Sequence, residues 1–172
     1  MRKWLAPAMT GLALAIIAHI AVLHYAPRMI MDRAMERLSE RGTALHAFSR
    51  SLRTTPQTQT VVRPSPDLAY SICLFDMRQA PQGLRVRMAP YANYASLSFF
   101  DAETNNFLTL RGDGEAREVL LLPPQDGAAA AGTAIAPTER GIILVRRLAP
   151  SAEEFAAAAE VSEGDDCEPV RN

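Results

Sequence analysis

Imidazoles are the first place to look for acid–base or metal chemistry, and this chain has three: His19, His24 and His46. Two fall inside an apolar run and the third in the helical pattern after it, so the region beyond residue 60 carries none. That removes the commonest general base and the commonest metal ligand from most of the chain, and no Ser/His/Asp triad can be assembled there. His19 and His24 stand about 140° apart around a helix, so one helix cannot offer both to a single metal or haem. Two polar clusters remain. The first is Arg63-Pro64-Ser65-Pro66-Asp67 followed by Tyr70. Its prolines hold an extended corner, and Arg63, Asp67 and Tyr70 either line the mouth of a groove for a polar ligand or build a rigid turn with an Arg63–Asp67 pair. The second is Asp101-Ala102-Glu103-Thr104-Asn105-Asn106-Phe107. Asp101, Asn105 and Asn106 are ligand candidates there, although such residues also connect strands routinely, and no EF-hand pattern points to calcium. A pair such as Asp67 and Asp101 would serve glycosidase-like chemistry only if folded to within about 5–9 Å. Neither a metal nor a cofactor is expected.

Cys73 and Cys167 are the only cysteines, too few for a zinc site or a disulfide-dense scaffold. In an oxidising compartment two such thiols tend to pair, so one internal disulfide is expected if this part of the chain is exported. It would tie the tail to the first long strand. The competing reading is a small core residue at Cys73 and a free or intermolecular thiol at Cys167.

The elements that must position these residues begin with a basic tip, Arg2 and Lys3, and an apolar run over residues 4–26. About 20 apolar residues span a bilayer core of ~30 Å, so one transmembrane helix fits. A cleaved signal peptide is the rival; no clean A-x-A site follows the run, and the run exceeds a usual h-region. The net charge of −1 hides two unlike halves: nine basic against three acidic residues over 1–63, and nine against sixteen over 64–172. The acidic half is not suited to nucleic acid. A short basic tip retained inside while the long acidic part crosses gives N-terminus in, C-terminus out. Lys3 is the sole lysine, a usage that suits a GC-rich bacterial genome. The expected location is a bacterial inner membrane, single-pass, with a periplasmic C-terminal domain.

The expected organisation is an anchor at 1–27, an amphipathic stalk helix at 28–53, a linker at 54–60 and a β-rich outer domain at 61–172. Met31, Met35, Leu38, Gly42, Leu45 and Leu52 set one apolar stripe on the stalk, which packs on its own domain or serves as a homodimer seam over 31–52. From Val61 the period changes to two: Leu68 to Leu74, Leu84 to Met88, Tyr94 to Phe100, Phe107 to Arg111, Glu118 to Leu122, and a doubly apolar Ile142 to Val145. Ser151 and Glu154 form a capping box for one closing helix, and the acidic tail after Glu163 reads as irregular. The fold class is therefore α+β: a transmembrane helix and helical stalk carrying a β-sandwich or jelly-roll-like domain with one C-terminal helix.

The two polar clusters also carry a resemblance. Arg63-Pro-Ser-Pro-Asp-Leu-Ala-Tyr-Ser71, followed at this separation by Asp101-Ala-Glu-Thr-Asn-Asn-Phe107, resembles the bacterial family known as domain of unknown function 1254. The likeness covers about Val61 to Arg147. It implies a β-rich, exported or membrane-associated domain, and supplies neither catalytic residues nor a substrate. Ser65 stands where the family usually has Asn, Leu68 where it has Thr, and Glu103 where it often has an aromatic. Longer members carry a second domain, numbered 1214, so the likeness implies a short, anchored version of the first half. Three functions follow as expectations. The first is a non-enzymatic envelope protein whose outer domain binds a partner protein, one resembling that second half. The second is binding of a carbohydrate or lipid-like ligand at a pocket ringed by Arg63, Asp67 and Tyr70. The last is a carboxylate-based hydrolase.

Overall fold

The computed structural model describes residues 2–55 and 64–171. One helix, α1 (Leu5–Glu40), carries the apolar run and continues past it unbroken. It is long and apolar enough to cross a membrane, and the apolar part has none of its residues buried against protein. Its 36 residues extend about 54 Å, well beyond a ~30 Å hydrocarbon core. Pro27 sits inside α1 beside Arg28, at the end of the apolar run. Pro27 has no N–H to give the Leu23 carbonyl its helical partner.

The last turns of α1 do not stand free. Met31 and Met35 are 5% and 4% exposed, packed with Leu38 against Leu74, Phe100 and Ile142 of a sheet. Arg28 pairs with Glu103, and Asp32 with Arg140 at 3.5 Å. The apolar stripe of the stalk is thus covered by the chain's own domain. The helix also ends sooner than the periodicity of Leu45 and Leu52 implied. Gly42 takes φ +88°, and the Thr43 N–H returns to the Leu38 carbonyl at 3.0 Å, a left-handed stop that Gly supplies without strain. The chain beyond it turns into the β domain: Leu45 bridges Leu74, and β1 (Ser49–Arg50) pairs with β2 (Leu68–Asp76).

Two sheets share one apolar core. The strands following β2 are β3 (Leu84–Met88), β4 (Ala95–Asp101), β5 (Asn106–Gly112), β6 (Arg117–Leu122), β7 (Thr133–Ile135) and β8 (Arg140–Leu148). The helix α2 (Ala152–Val161) and β9 (Asp166–Pro169) complete the order. The larger sheet runs β1-β2-β8-β4-β5, antiparallel throughout; the smaller runs β7-β6-β3-β9, with β6–β7 parallel. Cys73, Phe75, Leu97, Phe99, Ile143 and Val145 of the larger sheet join Leu84, Val86, Met88 and Leu121 of the smaller in that core. At Gly141 the packing leaves no room for a side chain: a Cβ would lie 2.1 Å from the Phe100 carbonyl oxygen and 2.6 Å from the Phe75 ring.

Cys73 and Cys167 form the expected disulfide, with Cα atoms 6.6 Å apart, and it joins β2 of one sheet to β9 of the other. The tail is accordingly not irregular. Cys167 faces inward between exposed Asp166 and Glu168, and β9 pairs along β3 with Val86 opposite Cys167. The capping box at α2 forms as read, Ser151 Oγ accepting from the Glu154 N–H at 3.1 Å and Glu154 Oε2 from the Ser151 N–H at 2.9 Å.

Candidate functional site

The first polar cluster closes on itself. Arg63 lies outside the described residues. The Ser65 N–H donates to the Tyr70 hydroxyl at 2.9 Å, the Asp67 N–H to Ser65 Oγ at 3.4 Å, and the Ala149 N–H to the Asp67 carbonyl at 2.8 Å. Tyr70 therefore clasps the corner that leads into β2, while Asp67 remains exposed. Beside Tyr70, between β2 and α2, a crevice lined by Arg50, Ser71, Arg147 and Phe155 has a volume of about 10 Å³, room for one water molecule.

The second cluster is a hairpin organiser. Asp101 is 4% exposed. Its Oδ1 accepts from the backbone N–H groups of Glu103 and Asn105, both at 2.8 Å, and its Oδ2 from the Asn105 side-chain amide at 3.0 Å. Thr104 adopts φ +67° at the tip, and Asn106 Oδ1 accepts from Thr109 Oγ1 at 3.0 Å. A carboxylate that receives this many N–H donors is committed to holding the turn. Glu103, one of the three departures from the family pattern, is the residue that pairs with Arg28 of α1.

Strand β8 measures the separation between the clusters. Leu68, next to Asp67, lies opposite Leu148, while Asp101 lies opposite Gly141. Seven residues of strand place the two about 23 Å apart. Asp67 and Tyr70 thus sit at one end of the larger sheet, and Asp101, Asn105 and Asn106 at the other, beside α1. No shared carboxylate site forms at glycosidase distance. Among the described residues no group of three His, Cys, Asp or Glu side chains could hold a metal ion.

Two features escaped the sequence reading. The first corrects it: the β domain does contain an imidazole. His46, at φ +56°, donates its backbone N–H to the Leu74 carbonyl at 2.8 Å, and its Nε2 lies 3.0 Å from the Asp76 N–H and 3.1 Å from the Asp76 carbonyl. Burial lowers its pKa, outweighing the hydrogen bond and negative charge of Asp76 that would raise it. A neutral ring can accept the Asp76 N–H, so the side chain stands in for a strand residue at the edge of β2. The Asp76 carboxylate is itself held below its usual range, chiefly by hydrogen bonding from the Arg78 side chain. The other two imidazoles, both exposed, stay in the apolar part of α1, His24 edge-on to Tyr25 with ring centroids 5.0 Å apart.

The second is a buried ion pair. Arg147, 1% exposed, forks onto Asp165 at 2.5 and 2.8 Å, and the Ala89 N–H donates to the same carboxylate at 2.9 Å. The guanidinium lies 5.9 Å from the centroid of the Tyr91 ring, whose hydroxyl donates to the Leu148 carbonyl at 2.7 Å. Its neighbour Arg146 points to the opposite face of β8 and donates to Ser98 Oγ at 2.8 Å.

Comparison with known proteins returns family and fold rather than an activity. The family model described as "Protein of unknown function (DUF1254)" matches residues 46–169. No curated protein matches. The crystal structure of the VPA0106 protein from Vibrio parahaemolyticus is similar at 12% identity with a TM-score of 0.63, covering 87% of this chain and 36% of that one. A putative uncharacterized protein from Burkholderia cenocepacia aligns at 14% identity and TM-score 0.46 over 74% of this chain and 35% of that one. The chain thus spans about a third of the length of these structures.

Proposed function

The chain belongs to the DUF1254 family, and from that premise we propose that it is a non-enzymatic, membrane-anchored envelope protein whose outer β domain binds a partner protein. The single observation that carries this reading is the side of β5 that pairs with no strand among the described residues. The larger sheet ends on β5, seven residues long, whereas the other sheet edges are strands of two, three and four residues. A long open edge offers a row of backbone donors and acceptors to an incoming strand, and it is the feature natural monomers usually guard against. At its end the Arg117 side chain donates to the Arg111 carbonyl at 2.9 Å. In this reading the N-terminus is cytoplasmic, the bilayer holds residues 4–26, and the β domain, taken as a two-sheet sandwich, lies in the periplasm of a bacterium. The disulfide supports that compartment, since such bonds persist where the surroundings are oxidising. Partner binding is favoured over a small-ligand pocket because the crevice beside Tyr70 has room for one water. It is favoured over hydrolysis because the two carboxylate clusters sit at opposite ends of the sheet.

The test uses the full chain in its native membrane, with a photo-crosslinking residue at Thr109 of β5 or, as a control, at exposed Val170 after β9. A discrete adduct with one second polypeptide from position 109 and not from 170 is the expected result. Recovery of uncrosslinked chain alone, or of adducts between two copies of this chain, would overturn the reading.

A further inference from the structure

Directly opposed residues of an antiparallel sheet project from the same face, so the strand register defines rows of side chains. On the face of the larger sheet turned away from the core, three such rows succeed one another. The row Leu74–Ile142–Phe100 is covered by Met31, Met35 and Leu38 of α1. Next comes Ile72–Leu144–Ser98–Thr109. The third is Tyr70–Arg146–Ser96–Arg111, crossing β2, β8, β4 and β5. It lies beyond the three α1 side chains that close the first.

This third row is chemically incomplete. Ser96 is 1% exposed, and its hydroxyl has no hydrogen-bond partner; the Nε of Arg146, directly opposite, is buried and likewise unpartnered. Buried polar atoms are nearly always satisfied, and an orphaned donor beside an orphaned hydroxyl calls for a missing acceptor. The charges say the same. Elsewhere in the β domain Arg78, Arg85, Arg117, Arg140 and Arg147 sit against carboxylates, while Arg87 donates to the Gly164 carbonyl. Neither Arg146 nor Arg111 has an acidic partner among the described residues, and residues 56–63 contain no Asp or Glu that could supply one. Arg146 is held in place from the side: it donates to Ser98 Oγ at 2.8 Å, and the Ser98 hydroxyl in turn donates to Thr109 Oγ1 at 3.1 Å. One guanidinium is therefore fixed with its Nε–H buried and unpartnered, a buried hydroxyl lies opposite it, and a second, exposed guanidinium flanks them.

We propose that Arg146, Ser96 and Arg111 form an oxyanion-binding site that takes a carboxylate or phosphate group. A fixed N–H, an O–H and an exposed guanidinium match an anion bearing two or more oxygens, and charge-assisted bonds of this kind are stronger than neutral ones. Of the three residues only Arg111 is exposed, so a charged group presented from outside meets its guanidinium first.

The test uses the full chain in nanodiscs of zwitterionic lipid, titrated with inorganic phosphate and with succinate against sodium chloride at matched ionic strength, binding being read by calorimetry. Saturable binding of phosphate or succinate is expected, and the tighter of the two identifies the tetrahedral or the planar group. Arg146→Gln and Arg111→Gln should weaken it about tenfold or more, and Ser96→Ala several-fold without loss of folding. If Arg146→Gln fails to fold, the exposed Arg111 and the small Ser96 variants decide alone. A response that chloride reproduces, or unchanged affinity in both Ser96→Ala and Arg111→Gln, would overturn the proposal.

Discussion

Arg146 and Arg147 are neighbours on one strand and face opposite sides of one sheet, and they have opposite fates. On the core side Arg147 is sealed between Asp165, the Ala89 backbone and the Tyr91 ring. On the outer side Arg146 is half-buried, with a serine for company and no carboxylate. A guanidinium in the core must be neutralised locally, because an uncompensated charge there is far costlier than at a wetted surface. The outer face tolerates an open charge, and an open charge can be used. The contrast separates architecture from site within a single dipeptide.

The largest expected effect tests the core side. Asp165→Ala leaves Arg147 buried and alone and should destabilise the chain by about 3–5 kcal/mol, whereas Arg146→Gln should cost about 1 kcal/mol or less. Chemical denaturation of the full chain in detergent measures both, and equal losses would erase the distinction between the faces. A similar or smaller loss, about 2–5 kcal/mol, is expected when the disulfide is removed by Cys73→Ala with Cys167→Ala, since it closes a loop of 94 residues between the sheets. Thiol labelling should appear only after reductant; equal labelling with and without it would exclude the bond.

The smallest effect concerns His46 at the sheet edge. Its folded pKa is lowered by burial, so below about pH 6.5 the unfolded chain takes up a proton that the folded chain resists. Stability from this group is complete above that pH and declines as pH falls toward the folded pKa. Thermal midpoints between pH 7.5 and 5 should fall more steeply for the parent chain than for His46→Gln. Parallel pH profiles would show that the ring does not titrate against the fold.

Local patterns made much of this architecture legible. Alternation at Leu84 to Met88, the double apolarity of Ile142 to Val145 and the Ser151–Glu154 box are each contained within one element. The end of α1 was not, because Leu45 and Leu52 prolong the helical spacing while one Gly42 breaks the backbone. Strand β9 was invisible because only one of its residues, Cys167, faces inward between acids. The two polar clusters were found, but they hold a corner and a hairpin, which their residue types equally suit. The row Arg146–Ser96–Arg111 joins three strands by register alone, and nothing in the sequence beside any of its members announces the other two.

The unbroken run of α1 from the apolar segment to the docked Met31 and Met35 fixes an azimuth. Each residue of helix advances about 100° and 1.5 Å, so the faces of the apolar segment and the direction in which β5 looks are locked in one rotational phase. One alanine inserted between the two would swing the β domain about a quarter turn while lifting it by little more than a bond length, and seven would nearly restore the bearing. The helix therefore sets a bearing as well as a distance.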